Sequence, residues 1–382
     1  MDFELTNRQK QIRQAVREFA EGEVAPVAQE CELKEDFPRE LVKKASQLGF
    51  LGVFIKKENG GLGLGFLEHA IILEEFWRVD PGLGQVFSSI TFGAEELQFF
   101  GSDEQKKKYL PPLVKGEQIM AFSITEPEAG SDTASASTTA KREGEEFVIN
   151  GNKVMITNGT VANFILVYCL TKPEETSKSK RHSIILVETD KPGYKADKIH
   201  RKMGIRASDT ANIYFNNVRV SKENLIGVEG NGFSQLMKFF DHSRSYVAAH
   251  GVGLAQGAME QAINYVKKRK QFGKTIASFQ ATQFKLADMA TLIETARSIV
   301  HKSCWNLDRG NVDSQLAAMA KWWACNVAVR VVDEALQMHG GYGYLEDYPV
   351  ERFYRAAKIL ELYEGTKEVD KMMIGRHILG VT

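Results

Sequence analysis

The residue best placed to do chemistry is Glu364, set between Tyr363 and Gly365 in LYEGTKE beside an apolar helical stretch. A glutamate there is usually a surface or capping residue. Buried against a ligand, its charged form would lose solvation, its pKa would rise and it could act as a base. AFSITEPEAGSD, residues 121–132, gathers Ser123, Thr125 and Ser131 around Gly130. Small residues let backbone approach a ligand and hydroxyls bond ring oxygens or phosphate, although a polar interdomain loop would read the same way. KKRKQFGK, residues 267–274, ends a helix on a basic cluster. Cations suit a helix C-terminus in any case, and phosphate binding by Arg269 is the functional alternative. In FDHSR, Asp241 and Arg244 stand i,i+3 on one helical face, an ordinary spacing for a surface ion pair. QMHGGYGY, residues 337–344, is glycine-rich but lacks the spacing of a phosphate loop and reads first as a helix stop.

The elements that must position these residues fall into three stretches, as expected for 382 residues, too many for one core. Residues 1–115 carry helical periodicity: Ile12, Val16 and Phe19 share a face, and Thr6 is placed to cap that helix. From 116 to 226 the pattern shortens to runs such as ANFILVYCL and ANIYFNNVRV, separated by Asn-Gly, Gly and Pro, which predicts a β-domain built as a small barrel or sandwich. From 227 to 382 four long helical runs return and suggest a bundle. The fold class is therefore α+β. TKPEETSKSKRH reads as an exposed loop.

Lys plus Arg and Asp plus Glu both total 49, so no global field draws in nucleic acid or an anionic membrane. The start is polar, no segment has the apolar length of a membrane span, and the four cysteines show no metal or disulfide spacing. A cytoplasmic chain without a metal site is expected.

Taken together and in order, ITEPEAGSD, INGNKVMITNG, KMGIRASDT, FDHSR, RKQFGKTIASFQ, QMHGGYGY and YEGT resemble the acyl-CoA dehydrogenase family over essentially the whole chain. The resemblance implies an N-terminal helical domain, a middle β-domain and a C-terminal four-helix bundle. It also implies one FAD per chain, a homotetramer, and electrons passed to an electron-transfer flavoprotein. By the same match Phe122, Ile124 and Thr125 meet the flavin ring, and Met155, Ile156 and Thr157 flank it. Ser131 bridges flavin phosphate and acyl-CoA. Arg269, Gln271, Phe272, Gln280, Gln337 and Gly341 reach FAD across a subunit boundary, and Thr366 and Glu368 lie by its adenosine half. Asp241 and Arg244 hold the CoA moiety. Glu364 fills one of the family's two base positions; the other holds Ser243. Such a base removes the α-proton while the β-carbon gives a hydride to flavin, with the Glu364 N–H among the donors to the thioester carbonyl.

Departures bear on tuning and substrate. Met155 stands where many relatives have Trp, and Lys367 and Asp370 where small or amide residues are usual. The acyl pocket falls to DPGLGQVFSSITFGAEE, with Phe87, Ser88 and Thr91, also Phe92 and Ser89, shaping it and Gly365 beside it. Glutaryl-CoA relatives carry an Arg here; this chain has Leu83 and Gly84. A short, branched or cyclic acyl group is expected ahead of a dicarboxylyl one. The alternatives are an oxidase, whose usual extra C-terminal domain is not seen, and a flavin-free CoA-binding protein on the same fold.

Overall fold

The computed structural model describes residues 4–381. Helices come first: α1 (Asn7–Phe19), α2 (Ala25–Lys34), α3 (Arg39–Gln47), α4 (Phe66–Val79), α5 (Pro81–Ser89), α6 (Ala94–Phe100) and α7 (Asp103–Val114). Thr6 caps α1 by a reciprocal bond with Gln9, as its position predicts. One π-turn, Ala20–Val24, runs α1 into α2; Pro26 lacks an N–H, and the ladder shifts register just ahead of it. The pocket segment is not one helix. It breaks at Gly93, whose φ of 95° starts α6 afresh.

Strands follow: β1 (Met120–Ser123), β2 (Thr139–Glu143), β3 (Glu146–Thr157), β4 (Phe164–Leu170), β5 (His182–Glu188), β6 (Tyr194–Lys198), β7 (Thr210–Ser221) and β8 (Leu225–Ile226). They form one eight-stranded sheet in the order β6-β7-β3-β2-β4-β5-β8, with β1 parallel to β4. β6 and β8 do not pair, so the sheet is open rather than a closed barrel. The alternation of β4 and β5 explains why both read as uninterrupted apolar runs. Phe164, Leu166, Tyr168, Ile184 and Leu186 face the N-terminal helical core. Ile165, Val167, Cys169, Ile185 and Val187 fill the other face. His182, expected in an exposed loop, is buried at the start of β5 and stacks on Tyr168 at 4.7 Å.

The rest is helical: α8 (Gly232–Lys268), α9 (Gln280–Asp308), α10 (Ser314–His339), α11 (Val350–Leu360) and α12 (Lys367–Leu379), with a short hairpin of β9 (Lys270–Gln271) and β10 (Lys274–Thr275) after α8. The predicted fourth long helix is thus two, parted by the 361–366 loop. Glu364 (φ 56°) and Gly365 (φ 94°) are both left-handed there, which no helix continues through. Helix α4 packs on α8 as part of the bundle. A Cβ at Gly253 would come within 2.3 Å of the Glu74 carbonyl, and one at Gly257 within 2.0 Å of the Arg78 carbonyl. That i,i+4 pair of glycines is what lets the two helices meet.

Candidate active site

β1, β3, α5, α8 and the 361–366 loop converge on a cavity of ≈ 770 Å³. Its floor is shaped by a defect in β3. Pairing with β7 slips between Lys153 and Ile156, and Met155 sits at φ 59°. The bulge turns Met155 out of the ladder, 67% exposed at the cavity wall. A buried ion pair locks this corner. Lys153 Nζ donates to Glu126 Oε1 at 2.8 Å and to the Ile124 carbonyl at 2.9 Å. Glu126 also accepts from the N–H groups of Ser137 (2.7 Å) and Thr138 (3.0 Å). Burial opposes the Glu126 charge, but Lys153 and these N–H groups hold its carboxyl down to about 2. Sequence reasoning missed both residues as organisers. The only signal was an acid in TEPE and a lysine at a position of β3 whose neighbours Val154 and Ile156 are apolar.

Phe122, Ile124, Thr125, Ser131, Met155, Ile156, Thr157, Ser88, Glu364, Gly365 and Thr366 all line this cavity. Glu368 lies just beyond, exposed on the first turn of α12. A second group lies apart from it. Arg269, Gln271, Gln337 and Gly341 share a separate hollow of ≈ 520 Å³ where α8 and α10 end. Arg269 lies over the Tyr342 ring at 5.3 Å. Phe272, at φ 51°, is 91% exposed beside this hollow, and Gln280 is exposed at the start of α9.

Four of the expected substrate contacts sit elsewhere. Phe87 faces the N-terminal core, stacked on Phe76 at 4.3 Å, and Thr91 packs its methyl towards Gly52. Neither lines the cavity. The spacing of Gln85, Ser88 and Ser89 on α5, continued by Phe92 in the turn after it, sets that stripe on the cavity and leaves Phe87 and Thr91 to the core. Arg244 is buried behind the 361–366 loop, not paired with Asp241. Its Nε donates to the Glu364 carbonyl at 3.2 Å and lies 3.5 Å from Asp370 Oδ1. Asp241 is half-buried on α8.

Glu364 is the only carboxylate lining the cavity among the described residues. Ser243, at the other possible base position, donates its hydroxyl to Glu364 Oε2 at 2.6 Å. Burial pushes the Glu364 carboxyl up to about 6, with Ser243, Arg244 and Lys321 limiting the rise. Its backbone N–H makes no hydrogen bond within the described chain and is free to donate into the cavity. Beyond it, the Tyr363 hydroxyl and His250 Nδ1 lie 2.6 Å apart. Trp77 stacks on His250 at 4.6 Å and donates to Ser88 Oγ at 3.0 Å, fully buried behind both. A Cβ at position 84 would stand 2.9 Å from the Trp77 ring, so Gly84 leaves no space for a longer side chain.

The site passes a direct test for a ring-and-phosphate cofactor. The side-chain hydroxyls of Thr125, Ser131 and Thr157 line the cavity and make no hydrogen bond within the described chain. With a raised-pKa carboxylate on the same cavity wall, these features fit a class of protein that holds a redox cofactor beside a group able to take a proton. Residues 6–117, 121–218 and 230–379 match the N-terminal, middle and C-terminal domains of acyl-CoA dehydrogenase. The chain belongs to the acyl-CoA dehydrogenase family and is an FAD-dependent oxidoreductase. It is 44% identical to the short-chain-specific acyl-CoA dehydrogenase of Clostridium acetobutylicum, over 99% of this chain and 100% of that protein. Among solved structures it is similar to a chain from the electron transferring flavoprotein work on Acidaminococcus fermentans (TM-score 0.96, 41% identity, 99% and 100% of the two chains). It is also similar to a glutaryl-CoA dehydrogenase from Mycobacterium smegmatis in complex with FADH2 (TM-score 0.93, 28% identity, 98% and 95%). Among the described residues no helix is long and apolar enough to cross a membrane, and no cluster of potential metal ligands occurs.

Proposed function

We propose that the chain desaturates a short acyl-CoA thioester between its α and β carbons, with Glu364 as the base. The observation that carries this is the Glu364 carboxylate, alone among acids of the described residues on the cavity wall and raised to about 6. Bound FAD would accept the two electrons, seated by Thr125, Ser131 and Thr157 and by the strand around Met155. The Glu364 N–H donates to the thioester carbonyl, which acidifies the α-carbon next to the carboxylate. Ser243 keeps the carboxylate oriented until it takes the proton.

Trp77, fully buried behind the cavity residues His250 and Ser88, leaves no free volume at its ring for the cavity to extend into and supports a short, branched or compact cyclic acyl group. The same ring excludes an arginine at position 84, and the cations that do line the cavity, Arg201, Lys202, Arg355 and Lys358, come from the 199–205 segment and α11 rather than from α5. This disfavours a dicarboxylyl substrate. The unpartnered cavity hydroxyls together with Glu364 disfavour a flavin-free binding protein. The separate hollow at Arg269 and Gln337, with Phe272 exposed beside it, supports a second copy completing the FAD site, as in a homotetramer. An electron-transfer flavoprotein is the proposed acceptor, in line with the similarity to the Acidaminococcus chain. The test is anaerobic bleaching of the flavin by a panel of acyl-CoA thioesters. Four-carbon or compact branched and cyclic groups should bleach it fastest; a preference for long-chain or glutaryl thioesters would refute the substrate reading.

A further inference from the structure

The loop carrying Glu364 is held from behind by charges that no solvent reaches. Lys321, on the inner face of α10, and Asp370, in the first turn of α12, are both 0% exposed. Lys321 Nζ lies 3.3 Å from Asp370 Oδ2 and also donates to the Gly365 carbonyl. Arg244 flanks Asp370 on its other oxygen at 3.5 Å and donates to the Glu364 carbonyl at 3.2 Å. Two buried cations thus take two consecutive carbonyls of one loop, and one buried anion sits between them. Neither Lys321 nor Asp370 lines the cavity.

Stability alone is a poor reason for this cluster. Desolvating such charges costs several kcal/mol per ion, and apolar residues of similar volume often serve a core as well. What the cluster does uniquely is geometric. Glu364 at φ 56° and Gly365 at φ 94° form a strained turn that needs its carbonyls fixed. A side chain at Gly365 would also meet Arg244 Nη2 at 3.1 Å.

We propose that Lys321 and Asp370 are positioning residues for proton abstraction: their ion pair clamps the Glu364–Gly365 peptide and sets the balance of charge behind the carboxylate. This rests on Glu364 being the base. The groups facing Glu364 are Ser243 and Tyr246 on α8, Arg244, Lys321 on α10, Asp370 on α12, its neighbour Tyr363 and, from α6, Glu95. Lys321 favours the ionised carboxylate and Asp370 opposes it. The two should therefore act on proton abstraction with opposite sign.

The experiment is stopped-flow reduction of the FAD-loaded enzyme by a saturating acyl-CoA that bleaches the wild type, between about pH 5 and pH 9. K321M should move the midpoint of the rate's pH profile upwards and D370N downwards, each by roughly half a unit to one unit, and the double variant should fall between them. At the wild-type midpoint K321M should then run about two- to fivefold further below its own high-pH plateau than the wild type does. Loss of rate or stability with unmoved midpoints, or midpoints moving the same way, would overturn the proposal. If K321M does not fold, D370N carries the test, and a midpoint that stays or rises refutes it. E364Q runs alongside: if it still bleaches at the wild-type rate, the base assignment fails, whatever the other variants do.

Discussion

Glu364→Gln separates chemistry from folding, because the structure gives it opposite effects on the two. Ser243 can still bond the Gln side chain, so the loop should keep its shape. The proton acceptor is gone, and no other carboxylate lines the cavity to replace it. A general base is typically worth ~10²–10⁴ in rate, so flavin reduction should fall by at least that factor. Folding should respond the other way. Glu364 has a folded-state pKa of about 6 against an ordinary 4.5, so the unfolded chain loses the proton more readily than the native one. Native stability therefore falls as pH rises from 4.5 through 6, and the penalty is complete above that. At about 1.4 kcal/mol per unit the difference is ~2 kcal/mol, and the open cavity in front of the carboxylate reduces it to about 1–2 kcal/mol. The variant should thus unfold at a higher temperature than the wild type near pH 8 and at the same temperature near pH 4. Stopped-flow bleaching gives the first number and thermal unfolding at the two pH values the second. Rapid reduction by the variant would remove Glu364 from the mechanism. An inactive variant with no stability gain at pH 8 would mean that the carboxylate is not desolvated, and the argument from burial would fail.

The remaining predictions follow from particular contacts. In the wild type, the limiting rate of flavin reduction should rise with pH through about 6, because only ionised Glu364 accepts the proton; a flat profile from pH 5 to 8 in stopped flow contradicts this. Lys153→Met strands the buried Glu126 carboxylate, so it should cost about 3–5 kcal/mol in denaturant unfolding and lower FAD content. Gly365→Ala forces a side chain into a left-handed residue beside Arg244; it should cost about 1–3 kcal/mol and slow reduction, read by thermal unfolding and stopped flow. Met155→Trp should change stability by less than about 0.5 kcal/mol, since the side chain is mostly exposed, while altering flavin reoxidation by an electron-transfer flavoprotein more than reduction by substrate.

What the sequence made legible, and what it hid, divides along physical lines. Thr6, the strand runs of the middle sheet and the long bundle helices were readable because capping, alternation and helical period are local. The residues expected beside the flavin could be named only through resemblance; taken alone, AFSITEPEAGSD is a polar loop. Phe87 and Thr91 went astray because α5 and the turn that follows it are buried all round. When both faces of a helix carry apolar and hydroxyl residues, amphipathicity cannot tell cavity from core. The split of the last helix was hidden for a different reason. It depends on two left-handed residues, one of them glutamate, which pays the steric cost of that backbone because buried cations hold it there.

That cost points to how the site works. Arg244 sits i,i+3 from Asp241, a spacing that suits a surface pair, yet its real partners, Glu364 and Asp370, lie about 120 residues later. Lys321 comes from a third helix to the same place. No local pattern encodes a meeting of α8, α10 and α12, where Asp370 stands between the two cations. The proposed base is therefore not a residue on a loose loop that burial happens to activate. Its peptide is fixed by charges from three helices before substrate arrives, so the desolvated carboxylate and the free N–H of one residue can face the same small volume. A carboxylate must meet the α-proton while a donor meets the carbonyl two bonds away. Placing both on Glu364 makes their separation a property of one rigid, left-handed residue rather than of two elements that would have to be held in register.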